Sequence, residues 1–121
     1  MTQDDRPLGN VANKLLFENE VVRVWEMHLA PGERSDRHRH DVPYVLCVVE
    51  GSRIDAEIED VGRIEISVQP GSVFFVPPGA TETAINASGQ VFREILIELK
   101  QAAGTGAQLA VANAPAPMSR V

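Results

Sequence analysis

His38-Arg39-His40 sets two of the chain's three histidines two positions apart. On an extended strand, residues i and i+2 face the same way, so both imidazoles project to one side, near enough to share an ion. Neutral imidazole is a common ligand for divalent transition metals. The same alternation carries Tyr44, Leu46 and Val48 onto the histidine face and Cys47 onto the other. A plainer alternative is a solvated loop, because the stretch from Glu33 to Asp41 is rich in charge. The third histidine, His28, shares a face with Val24 and Glu26, opposite Trp25 and Met27, and is expected at the exterior or in an interface. Cys47 points away from the histidines and reads as an inert core thiol. No Ser-His-Asp spacing, phosphate loop or dinucleotide fingerprint occurs.

The elements that must position the histidines are strands. Residues 53–59 put Ile54, Ala56 and Ile58 on one face, and residues 63–69 put Ile64, Ile66 and Val68 on one face. Period-two alternation of this kind marks half-buried strands. Asp60-Val61-Gly62 supplies a short hairpin loop between them. Residues 21–29 align Val21, Trp25, Met27 and Leu29, interrupted by Arg23; residues 91–99 align Val91, Ile95, Ile97 and Leu99, interrupted by Arg93. Segments 43–50 and 72–76 are apolar on both faces, as where two sheets pack. Turn signals such as Pro31-Gly32, Pro70-Gly71 and Pro77-Pro78-Gly79 separate the runs and suggest an all-β sandwich or barrel. The barrel is expected over residues 14–100. Residues 1–13 read as a polar arm, and residues 101–121 as an Ala/Gly/Pro-rich tail with a turn or two of helix at most.

Composition removes several function classes. The 121 residues argue for one domain with a real core. Eleven basic against 17 acidic residues give a net charge of −6. Without a basic block, neither nucleic acid nor an anionic membrane is an expected partner. The longest aliphatic run, Val45 to Val49, is far short of the roughly 20 residues that span a bilayer. The polar start and the single cysteine fit a reducing cytoplasm.

Two spaced motifs frame the histidines. Gly32, five residues, His38-x-His40, three residues, Tyr44, six residues, Gly51 resembles the first signature of the cupin superfamily. Gly71, five residues, Pro77-x-Gly79, two residues, Glu82, three residues, Asn86 resembles the second. The resemblance implies an all-β double-stranded β-helix, a jelly-roll barrel of two antiparallel sheets, and a homodimer. It also implies a divalent metal held by two His and a Glu from the first motif and a His from the second. This chain departs at half of those positions, with Tyr44 where the glutamate stands and Glu82 where the last histidine stands. Three readings follow. Glu82 supplies the missing carboxylate, giving two His and one carboxylate; or the site is degenerate; or Tyr44 ligates as a phenolate. Iron, manganese, nickel and zinc all suit the first. Segments such as Leu16-Phe17-Glu18-Asn19, Ala30-Pro31-Gly32-Glu33 and Arg93 to Lys100 further resemble small single-domain bacterial cupins of the beta-alanine degradation type.

These features lead to two expectations. The first is a metal-dependent enzyme acting on a small organic acid or carbonyl compound. His38, His40 and Glu82 hold the metal, and Tyr44 serves as catalytic hydrogen-bond donor or general acid. Arg93 on the inner wall orients a substrate carboxylate, and Trp25 lines the pocket. The alternative for Arg93 is a salt bridge with a glutamate at the barrel rim. The second expectation is a non-catalytic barrel that holds a small ligand with little or no metal.

Overall fold

A computed structural model describes residues 8–100. The first seven residues of the expected arm and the expected tail from residue 101, with its turn of helix, lie outside the described residues. Nine strands follow one another: β1 (Lys14–Glu18), β2 (Val22–Leu29), β3 (His38–Arg39), β4 (Tyr44–Glu50), β5 (Arg53–Ile58), β6 (Gly62–Ser67), β7 (Val73–Val76), β8 (Thr81–Ile85) and β9 (Phe92–Leu99). They form a five-stranded sheet, β1-β2-β9-β4-β7, and a four-stranded sheet, β3-β8-β5-β6. Every pairing is antiparallel. The expected double-stranded β-helix of two sheets is what the chain forms. No helix among the described residues is long and apolar enough to cross a membrane.

The hairpin expected at Asp60-Val61-Gly62 joins β5 to β6, with Asp60 and Gly62 both at positive φ. Its strands turn Ile54 and Ile66 inward, and Val68 just past β6 joins them. The core between the sheets includes Met27, Leu29, Val48, Phe92 and Leu96. Burying Phe92 completely contributes about 1.5–3 kcal/mol. That burial depends on Gly51, at φ 120°, where a Cβ would stand 2.9 Å from the Phe92 ring. Val11 and Ala12, within the stretch read as a polar arm, are buried against this core.

Two elements differ from expectation. The Thr81-Glu82-Thr83 segment, which carries no apolar alternation in the sequence, belongs to strand β8. Its inward residues Glu82 and Ala84 alternate with buried Thr81, Thr83 and Ile85. Strand β9 presents Phe92, Glu94, Leu96 and Glu98 to the interior, so its apolar row of Ile95, Ile97 and Leu99 faces outward. Arg93 therefore does not stand on the inner wall.

Candidate metal centre and barrel cavity

Cross-strand pairing assembles the site. Strand β3 pairs with β8 so that His38 lies directly opposite Glu82, and directly opposed side chains on one face are neighbours. His40 follows just beyond β3. Its carbonyl accepts from the amide of Gly79, which turns the chain at φ 117°. From the other sheet, Arg23, Glu98 and Tyr44 form one inward row across β2, β9 and β4. The two sheets thus bring His38, His40 and Glu82 against Tyr44 and Glu98.

The donors converge. Oε2 of Glu82 lies 3.7 Å from Nε2 of His38 and 3.7 Å from Nε2 of His40. One atom from each of the three residues falls within 4.8 Å of the others. Two donors each about 2.1 Å from one ion stand at most about 4.2 Å apart, so the carboxylate–imidazole separations suit a shared ion. Nδ1 of His38 donates to the carbonyl of Asp36 at 2.8 Å, which leaves Nε2 as the lone-pair nitrogen facing Glu82. His40 is 1% exposed, and neither ring nitrogen has a hydrogen-bond partner. Buried polar atoms without partners are rare and costly, and a ligand site is one physical reason to hold them. The two imidazole rings meet edge to face at 4.8 Å.

Protonation favours ligation. Burial, assisted by His38, brings the His40 pKa down to about 4, against the pull of Glu82 and Asp41. Burial works against ionisation of Glu82, but His38, His40 and the Tyr44 hydroxyl outweigh it and hold the carboxyl below its ordinary range. A neutral imidazole and an anionic carboxylate are the forms that bind metal. Tyr44 behaves oppositely. Burial, then the charges of Glu82 and Glu94, raise its pKa, so the hydroxyl keeps its proton. It donates to Oε2 of Glu82 at 3.5 Å while its ring stacks on His40 at 3.9 Å. This environment works against the phenolate reading.

Glu98 stands behind His40 and escaped the sequence reading. Its Oε1 accepts from Trp25 Nε1 at 2.8 Å and from Arg23 at 3.1 Å, and its Oε2 lies 4.0 Å from His40 Nδ1. Arg23 and Trp25 are thereby engaged in holding a carboxylate, and Trp25 packs against the core rather than lining the main cavity. The expectation that Arg93 reaches a substrate meets a correction. Arg93 lies on the outer face, 40% exposed, and donates to Glu26, the glutamate partner of the plainer reading. His28 is exposed opposite Arg93, as expected.

A cavity of about 270 Å³ opens beside Glu82 and Tyr44, lined mainly by aliphatic side chains such as Leu46, Ile54, Ile66 and Val68. Glu94 also lines it and also escaped the sequence reading. Burial, then the charge of Glu82, push its carboxyl up to about 8. The signal for both glutamates was the second period-two row of β9, Phe92-Glu94-Leu96-Glu98, half of which is acidic.

The family model described as the Cupin domain matches residues 25–98. No curated protein matches the chain. Among solved structures, a cupin domain protein from Bordetella pertussis Tohama I is similar at 26% identity and TM-score 0.65, covering 76% of this chain and 99% of that one. An uncharacterized conserved protein with a double-stranded β-helix domain from Klebsiella pneumoniae is similar at 20% identity and TM-score 0.62, covering 82% and 85%. An RmlC-like cupin family protein from Methanocaldococcus jannaschii is similar at 16% identity and TM-score 0.62, covering 82% and 92%.

Proposed function

Because this chain belongs to the cupin family, we propose that it binds a divalent metal through His38, His40 and Glu82 and holds a small molecule in the adjoining cavity. The observation that carries the proposal is His40, buried with both ring nitrogens unpartnered and Nε2 turned toward the Glu82 carboxylate. Two imidazoles and one carboxylate suit Fe(II), and Mn(II), Ni(II) and Zn(II) are accommodated as well. When bound, such an ion polarises a substrate oxygen or activates water.

The chain's own residues supply the rest of the chemistry. Tyr44, protonated beside Glu82, is the candidate hydrogen-bond donor to a substrate oxygen; its raised pKa favours this over the general-acid role. Glu98 orients His40 from behind. The aliphatic walls exclude water. Of the two substrate classes expected, the carbonyl compound is favoured, because the ionisable side chains lining the cavity are acids and a phenol.

Finer assignments belong to the same proposal. We place the chain with small bacterial cupins of the beta-alanine degradation type, on the segments named above, and in the cytoplasm as a homodimer. The dimer reading is supported by an apolar row, Phe17-Val24-Ile97-Val45-Phe75, that crosses the outer face of the five-stranded sheet from edge to edge. Its ends, Phe17 and Phe75, are 54% and 65% exposed.

Thermal melting tests the metal. Saturation with Fe²⁺, Mn²⁺, Ni²⁺ or Zn²⁺ after EDTA treatment is expected to raise Tm, with about 2.7 kcal/mol of stabilisation at a hundredfold excess over Kd. His40→Ala is expected to abolish the rise. No shift with any of the four ions contradicts the metal site and favours the metal-free ligand barrel.

A further inference from the structure

Glu94 has no role at the metal centre, yet its position is unusual. It is 6% exposed, within an interior row of β9. Its cross-strand neighbours are Met27 on β2 and Val48 on β4, each 1% exposed. Every other buried carboxylate among the described residues has a hydrogen-bonding partner. Asp55 is gripped by Arg53 and Arg63, and Glu98 by Arg23 and Trp25. Glu94 has neither a hydrogen bond nor an ion pair among the described residues, and it lines the cavity. Its carboxyl thus finds no protein partner and opens onto the cavity, which is where a partner would enter.

The cavity defines the partner. Its volume, about 270 Å³, lies just below the range of drug-sized ligand pockets, so a compact occupant fits. Its polar side chains are Tyr44, Asp55, Glu82 and Glu94, and its lining contains no Lys, Arg or His among the described residues. A carboxylate entering this end meets acids and no counter-ion. A low-polarity wall favours the uncharged carboxyl, which both donates and accepts hydrogen bonds. We propose that Glu94 is a ligand-binding residue that hydrogen-bonds the hydroxyl or carbonyl group of a small, uncharged, otherwise apolar molecule in the barrel cavity. This rests on reading the cavity as the ligand chamber, and it does not depend on a bound metal.

Phenol, toluene and benzoate test the inference as a matched set of probes. Each is titrated into EDTA-treated full-length protein at pH 7 and followed by NMR of the cavity methyl groups, so the outcome is independent of the metal site. Phenol is expected to bind, and benzoate to bind at least tenfold more weakly. Glu94→Leu is expected to shift the phenol-to-toluene affinity ratio toward toluene by about tenfold, the scale of one lost buried hydrogen bond. Glu94→Gln, which keeps a donor and an acceptor, is expected to retain phenol binding. A second readout needs no variant: the Glu94 carboxyl carbon resonance shifts with phenol and not with toluene. An unchanged affinity ratio, a Glu94 resonance indifferent to phenol, benzoate binding as tightly as phenol, or no probe in the cavity would each overturn the proposal. Failure here with metal-induced stabilisation intact removes the ligand assignment alone.

Discussion

At the scale of single residues, the candidate centre is set by which atoms have partners. His38 is fixed by the Asp36 carbonyl on one nitrogen and faces Glu82 with the other. His40 has no comparable hydrogen bond; the nearest group behind it is Glu98, at 4.0 Å. Glu98→Gln removes the negative charge behind His40, which under the proposal orients the ring when metal is bound. Loss of such a supporting carboxylate typically costs 10–100-fold in metal affinity. The expected outcome is a metal Kd weakened within that range, measured by competition with a chromophoric chelator on folded protein. A purely structural role for Glu98 would lower Tm and leave that Kd unchanged. The His-x-His pair and Glu82 were legible in the sequence because motif spacing fixes them. Glu98 was not, because its partners Arg23 and Trp25 are more than 70 positions away and meet it only through the β2–β9 pairing.

At the scale of elements, strand alternation was legible and strand facing was only half so. Ile54, Ala56 and Ile58 on β5, and Ile64 and Ile66 on β6 with Val68 just after it, line the cavity as their spacing predicts. On β9 hydrophobicity pointed the wrong way. The interior row carries two acids, Glu94 and Glu98, while Ile95, Ile97 and Leu99 stand on the outer face, which at its other end also carries the Arg93–Glu26 ion pair and His28. Strand β8 was hidden for a related reason: its inward side chain at position 82 is a carboxylate, so the segment lacks an apolar stripe. On the second sheet, Asp55 ties β5 to β6. It accepts from Arg53 at 2.8 and 2.9 Å and from Arg63 at 3.0 and 2.8 Å. The Arg53 bonds foremost, opposed by burial and joined by Arg63, hold its carboxyl down at about 2, below the ordinary 3.8. A lowered folded pKa gives stability that is complete above about pH 4 and lost as pH falls through about 2. Asp55→Asn is expected to lower Tm at pH 7, with the gap from the parent protein narrowing over that acid window. Thermal melts at stepped pH check it, and a gap constant from pH 7 to 2 would contradict the assignment.

At the scale of the whole molecule, the barrel sets an ionisable interior against an apolar row on its exterior. The interior gathers the acids, imidazoles and phenol against aliphatic walls. The exterior of the five-stranded sheet carries the apolar row from Phe17 to Phe75. An apolar row that reaches the surface at both ends in Phe17 and Phe75, with half-buried Val24, Ile97 and Val45 between them, is the kind of patch that marks association surfaces. Phe17→Glu together with Phe75→Glu is expected to convert a dimer to a monomer by light scattering, while metal-induced stabilisation persists. A native chain that is already monomeric would contradict the dimer. The fold itself was legible because glycines, prolines and alternation agree along the chain, whereas the outer row required the register of four pairings.

The central claim is that His38, His40 and Glu82 together hold one divalent metal. Elemental analysis of protein purified without chelator, for the parent chain and for His40→Ala and Glu82→Ala, tests it most directly. The account predicts close to one metal ion per chain in the parent and loss of that metal in both variants. Metal retained in Glu82→Ala would remove the carboxylate from the ligand set, and a metal-free parent after metal-supplemented expression would contradict the claim outright.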